Sequence, residues 1–391
     1  MPDKARRRKL IGGSATIAPV LLPRKLPRLV TAFANARRFS GTALRFSHDD
    51  LFDTVLAHSF PSTHAAKTPI ISLRGDHSVT HAELAKALAA HVRAVVRPMI
   101  GTVASRRITG TASSGDATFS IDNAAERAVV DFIETNGLDV AVYTEDEGLR
   151  SFGNPQAALI IDPIDGTRGA AAGFECCVVS VAVTAYSDLI TMKDVLAGCV
   201  CEIKEDRVFV ADSTGVTVYE GGVPVTTAKS AVTSLDRAAW TIELAGRPAD
   251  WVTGVLRPAI DASSVTGGFF LLNSTAFSLS RLVNGQLSAV VDIAGRILRD
   301  VPNARSEFLT AGNGRVIGVF PYDFAAAAYI AMQAGCVVTD GCGRPLDDVD
   351  LLDNTERGIQ SIVAACTPDL HARFMEVIEH GMERLCNESR S

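Results

Sequence analysis

Four acidic sites in this chain of 391 residues fall at the edges of predicted regular elements. Asp122 opens a helix, and Glu145, Asp146 and Glu147 follow a strand. Asp162 and Asp165 follow another strand, in Ile161-Asp162-Pro163-Ile164-Asp165-Gly166-Thr167, and Asp323 opens a later helix. Taken singly, each has an ordinary structural explanation. Aspartate is a favoured helix N-cap, a run of acids suits a solvated loop, and Asp-Pro and Asp-Gly are common turn dipeptides. Taken together they suggest metal-assisted phosphoryl chemistry. Pro163 restricts the backbone between Asp162 and Asp165, so two carboxylates and the Ile164 carbonyl are expected in one tight turn. Hard cations such as Mg²⁺ take oxygen ligands of this kind, completed by water. Gly166 lets an anion approach the backbone, and Thr167 offers an amide and a hydroxyl. The small-residue stretch Gly169 to Gly173 is expected to continue as a helical turn that favours phosphate. Carboxylates converging on one pocket repel one another unless cations neutralise them. Two divalent ions about 3.5–4 Å apart would relieve that repulsion and clamp both oxygens of an in-line displacement. Such a reaction needs positioning and charge stabilisation, with no covalent residue.

The rest of the composition narrows the choice. The eight histidines are His48, His58, His64, His77, His81, His91, His371 and His380, so none lies between residues 92 and 370. A Ser-His-Asp triad, a Cys-His pair or an HExxH zinc site in the body of the chain is therefore not expected. The eight cysteines include adjacent Cys176 and Cys177, and Cys199 and Cys201 in one strand. Neither spacing favours a bridge, no CxxC pair is present, and reduced buried thiols are expected. A net charge of −6 argues against a general nucleic-acid binder. No apolar run is long enough to span a membrane.

The elements that must position the acids begin near residue 80. Thr80 and Glu83 form a capping-box pattern, and Leu84, Leu88, Val92, Val95, Val96 and Met99 recur at helical spacing. Gly110 to Gly115 is a Gly/Ser/Thr loop. A second helix is predicted from about Asn123 to Thr135, stopped by Asn136-Gly137. Strands are predicted at Val140 to Tyr143, Ala158 to Ile161, Val178 to Thr184, Val195 to Val200 and Arg207 to Ala211, with a turn at Gly221-Gly222. Later come a strand over Val316 to Phe320, a helix over Phe324 to Ala334 ended by Gly335, and a strand over Cys336 to Thr339. Residues 1–46 carry eleven Lys or Arg against the single acid Asp3. Their Arg6-Arg7-Arg8-Lys9 run precedes the stretch Leu10 to Leu22 and fits an export or transit segment, a basic tail or a family-specific arm. The expected organisation is an N-terminal extension over 1–77, an α+β domain over 78–230 and a smaller α/β domain over 231–391. The expected location is cytoplasmic, with export or organelle targeting as the alternative.

With these motifs in hand, the chain resembles the inositol monophosphatase superfamily of Mg²⁺-dependent, lithium-sensitive phosphatases. Asp162-Pro163-Ile164-Asp165-Gly166-Thr167 is similar to the family's first signature, and Tyr322-Asp323-Phe324-Ala325-Ala326-Ala327-Ala328 through Gly335 to its second. Thr144-Glu145-Asp146 resembles the Gly-Glu-Glu element, and Phe119-Ser120-Ile121-Asp122 the Thr-x-x-Asp element. The resemblance covers roughly residues 80–370 and implies a layered αβαβα sandwich of the inositol monophosphatase/fructose-1,6-bisphosphatase type. It implies two or three Mg²⁺ ions. Glu145, Asp162 and the Ile164 carbonyl would hold the first, and Asp162, Asp165 and Asp323 the second. Asp122 and Thr167 would orient and deprotonate the attacking water, and the Gly166 and Thr167 amides would hold the phosphate. Asp292 would contact a sugar hydroxyl, and Ser274, Thr275 and Ala276 would lie near the same pocket. The implied partner is a small phosphorylated metabolite, with no nucleic-acid polymer and no membrane, and the family is often dimeric.

Departures from the pattern are Ala170 where an aromatic is usual, an extra Glu147, Cys336 after Gly335, and Arg168 after Thr167. Arg168 is expected to touch a second substrate group. The link from Asp292 to Asp323 is long and carries Arg296, Arg299, Arg305 and Arg315. It reads either as a solvated surface loop or as a lid reading a second anionic group. Two other functional readings remain at this level. One is a haloacid-dehalogenase-like phosphatase forming an aspartyl-phosphate, although its Asp-x-Asp spacing is one residue shorter. The other is a catalytically idle relative that serves as a binding or regulatory protein.

Overall fold

The computed structural model describes residues 70–72, 78–111 and 117–389, which belong to one compact unit. The basic segment 1–46, the rest of the expected extension up to residue 77 apart from 70–72, and 112–116 of the Gly/Ser/Thr loop lie outside the described residues. Strands β1 (Ile70–Ser72) and β2 (Ser78–Thr80) pair antiparallel ahead of helix α1 (His81–Val96). The capping box forms as its spacing predicts. The Thr80 hydroxyl accepts from the Glu83 N–H at 3.2 Å, and the Glu83 carboxylate accepts from the Thr80 N–H at 2.9 Å. Leu84, Leu88, Val92 and Val96 are buried, whereas Val95 is exposed. A hairpin of β3 (Ile108–Thr111) and β4 (Ala117–Phe119) leads into α2 (Ser120–Asn136), which ends on left-handed Gly137.

Eight strands follow, with one short helix among them. They are β5 (Val140–Thr144), β6 (Gly148–Ser151), β7 (Ala157–Asp165), β8 (Val178–Ala185), β9 (Val195–Glu202), β10 (Arg207–Asp212), β11 (Gly215–Glu220) and β12 (Val223–Val225). Helix α3 (Thr167–Ala172) lies between β7 and β8. The strands form one sheet in the order β12-β11-β10-β9-β8-β7-β5-β6, antiparallel except for the β5–β7 pair. The remainder is β13 (Ala239–Ile242), α4 (Ala249–Ser263), β14 (Gly268–Phe270), α5 (Thr275–Val283), β15 (Ala289–Asp292), α6 (Ala294–Asp300), α7 (Ala304–Ala311), α8 (Pro321–Gln333), β16 (Val337–Thr339), β17 (Ile362–Ala365) and α9 (Pro368–Glu388). Its strands make a five-stranded mixed sheet, β14-β13-β15-β17-β16. One sheet is thus drawn from residues 140–225 and the other from residues 239–365.

The layers follow from which surfaces are apolar. Helices α1 and α2 pack together, and α1 lies on β8, β9 and β10. Helix α8 lies on β7, β8 and β9, packs against α5, and reaches β16. Helices α4 and α9 pack on each other, with α9 against β17. The result is helices, sheet, helices, sheet, helices, the αβαβα sandwich expected. Strand β7 is buried along its whole length because helices cover both faces of its sheet. Helix α8 is apolar all round, with Phe324 to Ala328 and Ile330 buried, as a middle layer requires. Burying a side chain such as Phe324 or Ile330 contributes about 1.5–3 kcal/mol. Gly198 permits this packing, since a Cβ there would lie 2.8 Å from the Ala326 carbonyl oxygen.

One predicted strand is absent. Val316 to Phe320 makes only a single bridge, Val319 to Gln360, and otherwise has no ladder partner. The extended Phe320 is the consequence of Pro321, which disfavours helical backbone in the residue before it. All eight cysteines are free thiols, and no described helix is long and apolar enough to cross a membrane.

Candidate active site

The Asp162–Asp165 segment is not the tight turn that its Asp-Pro and Asp-Gly dipeptides predict. Strand β7 runs through it to Asp165 and carries a bulge. Asp162 pairs with Ser180 and Asp165 with Val178, so three steps on β7 span two on β8. Residues three apart on a regular strand point to opposite faces. The extra residue of the bulge reverses one of them and turns both carboxylates to the same side. Pro163 fits there because the bulge leaves a residue outside the ladder, where a missing N–H costs nothing. The Ile164 N–H donates to Asp162 Oδ1 at 2.9 Å, which holds that carboxylate across the bulge.

Asp122 and Asp323 reach the same place from helix starts. Each is the third residue of its helix rather than the cap. Asp122 Oδ2 accepts from the Phe119 N–H and Asp323 Oδ2 from the Phe320 N–H, both at 2.7 Å. One oxygen of each acid thus satisfies an orphan donor of the first turn, and both side chains line the cleft. Single carboxylate oxygens of Asp162, Asp165 and Asp323 lie within 4.8 Å of one another. Glu145, on the β5–β6 turn, lines the same cleft, as do Asp146, Ile164, Gly166, Thr167 and Arg168. Gly166 is left-handed at φ 88°, and a Cβ on it would stand 2.2 Å from the Cys176 carbonyl oxygen. The Thr167 hydroxyl donates to the Ile164 carbonyl at 2.9 Å.

Electrostatics set this cluster apart from a solvated acidic loop. Asp162 and Asp165 are only 4% and 7% exposed. Burial pushes the Asp162 carboxyl well above its ordinary range, and Asp165, Asp323 and Glu145 add to the shift. Asp323 moves the same way, by burial and then by Glu145 and Asp165. Asp165 rises less, to about 6, because burial is opposed by hydrogen bonds from Ser274 and the start of α5. The Ser274 hydroxyl donates to Asp165 Oδ2 at 2.7 Å, and the Ala276 N–H at 2.5 Å. Ser274 and Ala276, expected beside the substrate, therefore hold a carboxylate in place. Ser274 and Thr275 do line the cleft, but Ala276 does not.

Asp292 is also placed differently from expectation. It is 2% exposed, does not line the cleft, and pairs with Arg247 Nη2 at 2.5 Å. Its other oxygen accepts from the Ala294 N–H at 2.7 Å. The cleft wall in front of it is made by Glu243 and Arg247, which the sequence reading did not single out. Their one sequence signal is position just after a strand, since β13 and β15 run parallel and Ile242 is level with Val291. Glu243 and Asp292 therefore sit side by side at the carboxyl edge of that sheet, where α/β folds collect functional groups. Glu126 was also missed, although it stands one helical turn after Asp122. Burial raises it to about 7, against hydrogen bonds from Thr144 and the Asp146 backbone. It fastens the β5–β6 turn that carries Glu145.

The arginines of the long link lie elsewhere. Arg296 is clamped by Glu379 at 2.5 and 2.7 Å, and Arg305 by Glu356 at 2.8 and 2.9 Å. Arg299 and Arg315 are exposed, and none of the four lines the cleft. The link reaches the cleft only through residues 317–320, as Ile317, Gly318, Val319 and Phe320. Ala170 is fully buried, and its N–H donates to the Gly166 carbonyl at 3.0 Å.

Comparison with known proteins agrees with this geometry. The family model described as the inositol monophosphatase family matches residues 78–382. A fructose-1,6-bisphosphatase/inositol-1-monophosphatase of Methanothermobacter thermautotrophicus is 28% identical over 300 residues, covering 75% of this chain and 94% of that protein. Among solved structures, the Bartonella henselae extragenic suppressor protein SuhB superimposes with a TM-score of 0.57 at 16% identity. That match covers 76% of this chain and 98% of that one. A Thermotoga maritima IMPase gives 0.55 at 19% identity, covering 76% and 96%. The haloacid-dehalogenase-like alternative falls with these matches. With a family model spanning most of its length on this fold, the chain belongs to the inositol monophosphatase family.

Proposed function

We propose that the protein is a Mg²⁺-dependent phosphomonoesterase that hydrolyses a small phosphorylated sugar or polyol by in-line attack of water. The observation that carries this reading is the meeting of Asp162, Asp165 and Asp323 within 4.8 Å beside the Gly166–Thr167 corner. The donor set fits a hard divalent cation, because it is all oxygen and its buried negative charge is left largely uncompensated. Asp162, Asp165 and Asp323, with Glu145 and the Ile164 carbonyl, would hold two or three ions. When bound, the ions neutralise the acids, attract phosphoryl oxygens and make water a stronger acid. The protein's own groups do the rest. Asp122 and Thr167 orient the attacking water, and Asp122 takes its proton. The Gly166 and Thr167 amides hold the phosphoryl oxygens, which the missing Cβ of Gly166 allows to come close. Arg168, exposed on the rim next to Thr167, would meet a further anionic oxygen of the substrate.

The Methanothermobacter thermautotrophicus relative is named for both a sugar bisphosphate and an inositol phosphate, which supports a sugar or polyol phosphate here. Phosphate release measured over a panel of sugar, inositol and nucleotide phosphates, with Mg²⁺ or with EDTA, tests the reading. Activity should require the cation, and Asp162→Asn should lower kcat by at least about 100-fold. Undiminished hydrolysis by the variant would place the chemistry elsewhere.

A further inference from the structure

The back wall of the cleft holds two buried polar side chains that the metal and phosphate chemistry does not use. Glu243 is 4% exposed and Arg247 is 7% exposed. One Glu243 oxygen accepts from the Ser274 backbone N–H, while Oε1 has no hydrogen-bond partner. Arg247 Nη1 donates to the Ala245 carbonyl at 2.6 Å and Nη2 to Asp292 at 2.5 Å, while Nε has no partner. The two side chains form no ion pair with each other among the described residues. Buried polar atoms without partners are rare and costly, so a pair of them on one wall of a cleft signals a ligand. Asp292 neutralises the charge of Arg247, so the wall offers a second phosphate no net positive charge. A hydroxyl group suits it, because one oxygen can donate to a carboxylate and accept from a guanidinium.

We infer that Glu243 and Arg247 are specificity-determining residues that read a hydroxyl of the substrate's sugar or polyol part, in the role that the sequence pattern assigned to Asp292. This rests on the phosphomonoesterase reading. Neither orphan atom touches solvent as the side chains stand. Glu243 lines the cleft, and the terminal torsion of a glutamate is soft, so rotation about it can present the carboxyl to a bound hydroxyl. Arg247 also holds Asp292 by pairing with it.

The test compares a phosphorylated polyol with a plain alkyl phosphate and a bisphosphate, all with saturating Mg²⁺. Wild-type hydrolysis of none of them would refute the phosphomonoesterase reading. Given hydrolysis, the hydroxylated ester should be preferred in kcat/KM by about 10-fold or more. Glu243→Gln should cut that preference about 10-fold, mainly through KM, with Arg247→Lys close behind. If either variant folds poorly, mono-deoxy versions of the polyol phosphate applied to the wild-type enzyme ask the same question. One deoxy position should cost about 10-fold, and in a folded Glu243→Gln protein that loss should shrink, because the two deletions remove one contact. A preference unchanged by Glu243→Gln would overturn the inference. So would additive losses, or a bisphosphate whose advantage disappears in Arg247→Lys.

Discussion

Replacing Asp162 with asparagine should stabilise the metal-free protein while abolishing its activity. The reasoning is electrostatic. Asp165, in the same cluster, is raised from 3.8 to about 6 by burial, even with hydrogen bonds from Ser274, Thr275, Ala276 and Phe277 opposing the shift. Each tenfold change in acidity is about 1.4 kcal/mol, so holding Asp165 ionised above pH 6 costs about 3 kcal/mol. Asp162 moves the same way with one opposing backbone donor and three acidic neighbours. Neutralising it should therefore stabilise the fold in EDTA at neutral pH. The substitution keeps shape and keeps an oxygen for the Ile164 N–H, so no cavity or orphan amide offsets the gain. Urea unfolding of both proteins in EDTA at pH 7.5 gives the difference directly. The same titration at Mg²⁺ near 100 times its Kd should stabilise the wild type by about 2.7 kcal/mol, and the variant much less. A variant less stable than wild type in EDTA would refute the picture of uncompensated buried charge. A variant that gains as much from Mg²⁺ as the wild type would refute Asp162 as a ligand.

Stability of the metal-free wild type should fall as pH rises from about 4 through about 6. The folded state holds the Asp165 proton to higher pH than the unfolded chain, so in that window raising pH favours unfolding; Mg²⁺ should flatten the profile, and a stability that rises there would contradict the assignment. Gly166→Ala should destabilise by about 2–4 kcal/mol and remove activity, because φ 88° and a carbonyl oxygen 2.2 Å away leave no place for a methyl. Arg305→Ala should change stability by less than about 1 kcal/mol and leave kcat/KM as it was, since its Glu356 pair is a surface contact. A fall in kcat/KM would revive the link between Asp292 and Asp323 as a lid.

Much of this was legible in residue order alone. The helix after Thr80, the stop at Gly137, the strands leading to Glu145 and Asp162, and Asp323 at the head of an alanine-rich helix all follow from local periodicity and caps. What was not legible is whatever depends on neighbours. A bulge exists only relative to the partner strand, so Asp162-Pro163-Ile164-Asp165 reads as a turn until β8 is beside it. The Val316 to Phe320 run has strand-like composition, but only Val319 finds a bridge partner. Asp292 sits where a substrate-reading acid would, yet it pairs with Arg247, forty-five positions earlier. Glu126 and Glu243 carry no motif, and burial alone distinguishes them from ordinary surface glutamates.

The central claim is that distant acids meet to hold divalent cations beside a phosphate seat. Anomalous diffraction from crystals of the full chain grown with Mn²⁺ tests it most directly. At least two peaks should lie within about 2.0–2.3 Å of oxygens from Asp162, Asp165, Asp323 and Glu145. An empty cluster, or peaks confined to the separate acidic surface around Asp347, Asp348 and Asp350, would contradict it.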